Sequence, residues 1–302
     1  MPDIVMVGEG MIELSRADAA GGWRLAHGGD TLNTAIHLAR LGDRVRYLTA
    51  IGDDPFSAGL RADWAAEGIN TALTLTEPNA SPGLYAIATD DAGERTFTYW
   101  RSDSAARRVF GAPGIAAAVE QAASADLLGF SLISLAILPD EGRNALLALA
   151  ERVRANGGGV AFDGNYRPRL WRDAAEARSW RDRAVATCSI GLPTAEDEAL
   201  IGDADYAAAI AARWRSLGAG EVVVKLGARG ALVDGEIVPP PARLTPRDTS
   251  GAGDAFNAGY LHARLSGTAP ADAALAGHRL AGWVVMRPGA IPGRDDGAAY
   301  DG

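Results

Sequence analysis

The chain has 302 residues, 48% of them hydrophobic and 22% charged, which is the make-up of an ordinary globular protein with room for one large core. A net charge of −9 argues against non-specific nucleic-acid binding, which needs many Lys and Arg, but permits a local cationic site for an anionic ligand. The lone Cys188 excludes an internal disulfide and a Cys-rich zinc site, and no apolar run reaches membrane-spanning length. The first residues lack the basic, apolar and small-residue order of a signal peptide, so a cytoplasmic location without nucleic-acid or membrane partners is expected.

In chain order, residues 4–7 read as a strand and 11–25 as extended chain punctuated by Gly21-Gly22. Gly28-Gly29-Asp30-Thr31-Leu32-Asn33-Thr34-Ala35 comes next. Its glycines permit a tight approach to a ligand, Asp30 or Thr31 suits a helix cap, and Leu32, Ala35, Ile36 and Ala39 share an apolar helical face. Asn33 falls in the first turn, where its amide suits sugar hydroxyls; a plain turn and cap is the alternative. Residues 45–51 form the next strand, and the turn from Gly52 to Gly59 reads as structural.

Residues 84–89 and 95–101 alternate with period two around Asp90-Asp91-Ala92-Gly93, a hairpin turn. Tyr99 and Arg101 share a face there, and Tyr85 lies on the companion strand. Rings beside a guanidinium suit a small polyhydroxy acid, while an exposed strand with ordinary cross-strand pairs is the plainer alternative. These segments interrupt an otherwise alternating α/β order. A separate small sheet over about 11–27 and 83–102 is expected, serving as a lid over a ligand cleft or as a homo-oligomer surface.

Residues 127–133, 159–163, 188–192 and 221–226 read as buried strands, apolar on both faces. A helix begins at Pro139-Asp140, with proline in its first turn and Leu146, Leu149, Ala150 and Val153 on one face. Asp163-Gly164-Asn165-Tyr166-Arg167 lies beyond a strand's carboxyl end, where ligands bind in open α/β sheets. Arg167 there suits a carboxylate or a transferring phosphate and Asn165 a hydroxyl or phosphate oxygen, unless the loop is merely solvated; Trp171 belongs to the core. Lys225 then leads into Gly227-Ala228-Arg229-Gly230.

The strongest signal is Asp248-Thr249-Ser250-Gly251-Ala252-Gly253-Asp254, followed by Phe256, Gly259 and Tyr260 at helical spacing. Small residues let backbone N–H groups face outward at a helix start, where the dipole favours negative charge. Asp254 sits in the first turn, placed to take a hydroxyl proton during phosphoryl transfer, although aspartates that simply cap a helix would look similar in isolation. No P-loop, dinucleotide fingerprint or nucleophile elbow occurs, which weakens a nicotinamide oxidoreductase reading. His27, His37, His262 and His278 lack metal-ligand spacing.

The run from Asp248 to Asp254 resembles the signature of the ribokinase-like, or PfkB, carbohydrate kinases, and the similarity extends from Gly8 to about Gly289. The resemblance implies one domain over 1–302: a three-layer α/β/α core with a mostly parallel sheet and a small β lid. It makes Asp254 the catalytic base and the backbone of Gly251, Ala252 and Gly253 an anion hole. ATP is implied at Asn165, Lys225, Gly227, Gly230, Thr249, Gly251 and Gly253. The spelling from Gly28 to Ala35 is similar to that of 2-keto-3-deoxygluconate kinases, which implies sugar-acid contacts at Gly28, Gly29, Asp30, Asn33, Tyr85, Tyr99, Arg101, Arg167 and Asp254. Mg²⁺ is implied through Glu196, indirectly, since Pro193 stands where the family's Asn is usual; a monovalent cation is also compatible. The expected reaction is phosphorylation of the keto acid at its terminal hydroxyl, with a fructokinase- or ribokinase-type activity and a non-catalytic sugar-binding protein as alternatives.

Overall fold

Alternate residues of the first strand, β1 (Asp3–Val7), part to opposite sides: Val5 and Val7 enter one apolar core, Ile4 and Met6 another. That division runs through the whole sheet. The computed structural model describes residues 1–16, 22–89, 95–202, 206–295 and 297–300. The elements that follow are β2 (Met11–Arg16), β3 (Trp23–Gly28), α1 (Asp30–Arg40), β4 (Arg44–Ile51), α2 (Pro55–Ala66), β5 (Thr74–Thr76), β6 (Leu84–Thr89) and β7 (Arg95–Trp100). Then come α3 (Ile115–Ala122), β8 (Leu127–Ser131), α4 (Leu132–Ile137), α5 (Asp140–Ala155), β9 (Gly159–Asp163), α6 (Ala174–Thr187), β10 (Ile190–Leu192), α7 (Ala195–Ile201) and α8 (Ala207–Ser216). The chain continues through β11 (Glu221–Lys225), β12 (Ala231–Val233), β13 (Glu236–Val238), α9 (Ala252–Leu265) and α10 (Pro270–Val285).

The large sheet runs β13-β12-β11-β10-β9-β8-β1-β4-β5, parallel from β11 to β5 with an antiparallel edge of β12 and β13. Side chains of α1, α9 and α10 fill the core under Ile4 and Met6, while those of α5, α6 and α8 fill the opposite one. This is the expected three-layer arrangement. A second sheet, β3-β2-β6-β7, stands apart, with β2 and β6 parallel and its other pairs antiparallel. The hairpin turn expected at 90–93 and the first glycine of Gly21-Gly22 lie outside the described residues.

Several boundaries differ from expectation, each for a local reason. The strand expected over 127–133 stops at Ser131, whose hydroxyl accepts from the Ser134 amide while the Ser134 hydroxyl accepts from the Ser131 amide; this reciprocal cap starts α4 in an apolar run that periodicity alone cannot resolve. Cys188 ends α6 instead of opening β10, and Leu226 leaves β11 to bond Gly230. Pro139 occupies the N-cap of α5, one residue before the first turn. Neither Asp30 nor Thr31 caps α1: Gly29 is the N-cap, without a side-chain bond, which leaves the Asp30 carboxylate for other partners. Ala39 is only partly buried, whereas Leu32, Ala35 and Ile36 are fully so.

Candidate active site

Parallel strands end on one edge, and there the sequence changes from apolar to polar: Glu9 after β1, Ser131 on β8, Asp163 on β9, Lys225 on β11. A cleft of about 2650 Å³ opens over this edge, between the large sheet and the small one. Pockets for a single small ligand hold roughly 300–1,000 Å³, so two ligands can lie here together.

Asp254 is buried in the first turn of α9, and Asn33, from the first turn of α1, donates to its Oδ2 at 2.7 Å. Burial, then the charge of nearby Asp30, pushes the Asp254 carboxyl up to about 8, against the Asn33 bond and the ammonium of Lys225. Asp30 is likewise raised by burial; it accepts from Ser131 Oγ at 2.5 Å and from Asn165 Nδ2 at 3.3 Å. Asn165 thus meets the Asp30 carboxylate while lining the cleft.

Lys225 is not a free cation. Its ammonium donates to Asp163 Oδ1 at 2.9 Å and to Asn257 Oδ1 at 3.1 Å, and Asn257 Nδ2 returns to Asp163 Oδ2 at 2.9 Å. This closed triangle is buried and flanks the start of α9: a side chain at Gly253 would stand 3.8 Å from Lys225 Nζ. The preceding loop is fixed by Asp248, which accepts from the Ser250 amide at 3.0 Å and the Gly289 amide at 2.6 Å. Gly251 has φ 71°, and a Cβ there would meet that of Ala290 at 2.5 Å, so only glycine serves as this N-cap. The Ala252 amide donates to Thr249 O over a long 3.3 Å. Gly227, Gly230 and Thr249 line the same cleft.

On the small sheet, Tyr85 and Tyr99 are register partners with rings 5.7 Å apart, and the Tyr85 hydroxyl donates to Glu13 Oε2 at 2.5 Å above Gly28. Arg101 stacks 6.0 Å from the Tyr99 ring and forms an ion pair with Glu9. Arg167 is more open: 54% exposed, it donates to Tyr166 O at 2.7 Å and lies 3.5 Å from Asp197. Burial pushes Asp197 up to about 6, with Arg167 opposing. Asp197 and exposed Glu196 share the first turn of α7, on the cleft wall. Sequence reading passed over Glu9, Glu13, Asp163, Asn257 and Asp197 as site residues. A lone carboxylate beside a strand end was the signal available for Glu9 and Asp163.

His37 serves packing: it contacts Tyr300 at 2.7 Å and Ala290 O at 3.0 Å, and burial lowers its ring to about 4. Among the described residues no group of three His, Cys, Asp or Glu stands ready to hold a metal directly, and no helix is long and apolar enough to cross a membrane.

Comparison with known proteins agrees with this fold. The pfkB family carbohydrate kinase domain matches residues 1–296. A 2-dehydro-3-deoxygluconokinase of Escherichia coli K12 is 43% identical over 97% of both chains. A PfkB protein from Polaromonas sp. JS666 superposes with a TM-score of 0.82 at 28% identity, covering 93% of this chain and 94% of that one. A ribokinase II candidate from E. coli, in complex with ATP and Mg²⁺, has a TM-score of 0.82 at 21% identity over 96% and 94%. The chain belongs to the pfkB family of carbohydrate kinases.

Proposed function

We propose that the protein transfers the γ-phosphoryl group of ATP to the terminal hydroxyl of 2-keto-3-deoxygluconate, giving the 6-phosphate and ADP. The observation that carries this reading is the Asp254 carboxylate, held by Asn33 at the glycine-lined start of α9 and facing an open cleft. In this role Asp254 takes the hydroxyl proton as the sugar oxygen bonds to phosphorus and the bond to ADP breaks. The amides of Gly251, Ala252 and Gly253 face the transferring group at the positive end of the helix, Ala252 giving up its long bond to Thr249. Lys225, fixed by Asp163 and Asn257, adds positive charge beside it. Asn33, Asp30, Gly28 and Gly29 hold the sugar from the core side, and Tyr85, Tyr99 and Arg101 from the small sheet, which acts as the lid. Arg167 meets the carboxylate.

Gly227, Gly230 and Thr249 border the nucleotide. Glu196 and Asp197 on the cleft wall would hold a largely hydrated Mg²⁺, since among the described residues no cluster of three metal-binding side chains forms a closed cage. When bound, it screens the polyphosphate charge. An ATP-consuming enzyme with one buried cysteine suits the cytoplasm. Copies would meet through the outer lid face, where Leu25 and Trp100 are exposed.

A coupled ADP-release screen over sugar acids and neutral sugars tests the reading. The keto acid should have the highest kcat/KM, and leaving out K⁺ in the same assay reads any monovalent-cation requirement. A neutral ketose is the second reading, favoured by the pairing of Arg101 with Glu9. Clearly faster use of fructose would select it, and no turnover of any sugar would leave a binding protein.

A further inference from the structure

Glu9 lies directly beyond β1, under the sugar side of the cleft, and its side chain is 1% exposed. A buried carboxylate needs a partner, and the cation that meets it is Arg101, 11% exposed, just past β7 on the small sheet. Among the described residues neither oxygen of Glu9 nor Nε of Arg101 has a well-angled hydrogen-bond partner, so the pair is a charge contact at one corner of the guanidinium. Among the described residues the Arg101 Nε–H is left without a hydrogen-bond acceptor, and the residue lines the cleft. Room for the contact comes from Gly83, ahead of β6: a Cβ there would stand 2.6 Å from Glu9 Oε1 and 3.2 Å from the Arg101 Cβ. Core strand and small sheet are therefore joined by one buried ion pair whose cationic member borders the ligand space.

We propose that Glu9 is a positioning residue for substrate binding: by holding one corner of Arg101 it aims the unpartnered N–H edge at a substrate oxygen and sets the small sheet against the core. The inference rests on the reading of this end of the cleft as the sugar site. It does not depend on whether the sugar is acidic, because Glu9 balances the charge of Arg101.

The test is steady-state kinetics of Glu9→Gln, Arg101→Gln and the double variant, with 2-keto-3-deoxygluconate and, separately, fructose as acceptor. Glu9→Gln should raise the KM of the accepted sugar by about tenfold, as expected when the misaimed Arg101 loses its charged hydrogen bond to the substrate oxygen, with a smaller change in kcat and none in the KM for ATP. In the Arg101→Gln background the same change should add less than about twofold, because neighbours acting through one contact are not additive. An unchanged sugar KM in Glu9→Gln overturns the proposal, as do effects that multiply in the double variant.

The apolar pair Glu9→Leu with Arg101→Met keeps the test decisive if single variants unfold, since a buried ion pair is often replaceable by packed apolar groups. Here melting temperature should recover while the sugar KM stays high. Recovery of both means the pair only stabilises the fold and overturns the proposal. Failure of the cleft reading itself appears separately, as a wild-type enzyme that phosphorylates neither acceptor.

Discussion

The two walls of the cleft are held by different physics. The core wall is a closed network at the ends of helices and parallel strands: Asn33 on Asp254, and Lys225, Asp163 and Asn257 on one another, all buried. The other wall is the small sheet, four short strands where, among the described residues, Tyr85 bonds Glu13 and Arg101 pairs with Glu9, while Tyr99 is 47% exposed. On the proposed reading, bond-making falls to the closed network and recognition to the sparsely bonded sheet, a division that suits catalytic geometry because it tolerates less misplacement than binding does.

The largest effect that could break this division is at Asp254. Asp254→Asn should lower kcat by roughly 10²–10⁴, the range for loss of a general base, with little change in the KM for ATP. A loss confined to ATP affinity would move the chemistry elsewhere. Next is Lys225→Met, which leaves Asp163 buried without its cation. A loss of about 3–5 kcal/mol in unfolding free energy is expected from denaturant melts, part of it recovered by adding Asp163→Asn.

Protonation sharpens the same contrast. With its carboxyl raised to about 8 by burial and by Asp30, Asp254 in the free enzyme keeps a proton that the unfolded chain releases near pH 4. The native state therefore holds more protons between these values, and stability falls as pH rises through that window, levelling off above it. Asp254→Asn should remove this slope, so its melting temperature gains on wild type as pH rises from about 5 to about 9. The wild-type kcat/KM for the sugar should rise through pH near 8, since the base must be ionised to accept a proton. A flat profile would mean that Asp254 is not the titrating group.

The core wall was largely legible in the sequence, because helix starts announce themselves locally. The glycines before Asp254 and the Gly-Gly before Asp30 give both the turn and the polar residue that follows it. What could not be read was which charges meet. Lys225 and Asp163 lie 62 residues apart, and only the order of β9, β10 and β11 brings them together. Glu9 stands between two glycines in the sequence, and only the small sheet brings Arg101 to it. The break after Ser131 was hidden for a different reason: Leu132 and Ile133 are as apolar as a strand, and a serine cap decides otherwise.

The smallest expected effect bears on the lid wall alone. Tyr99 stacks on Tyr85 and Phe97, with ring centres 5.7 and 6.4 Å away, and carries Arg101 above its face. About half of it faces solvent, so Tyr99→Ala removes little buried surface and should change unfolding free energy by less than about 1 kcal/mol. Loss of the aromatic platform should still raise the sugar KM by about two- to tenfold, the equivalent of one stacking contact, at nearly constant kcat. Tyr99→Phe keeps the ring and should restore that KM unless the hydroxyl itself meets the sugar. A fall in kcat comparable with that of Asp254→Asn would mean that the lid also sets the reacting geometry, and the division between a chemical wall and a binding wall would have to be abandoned.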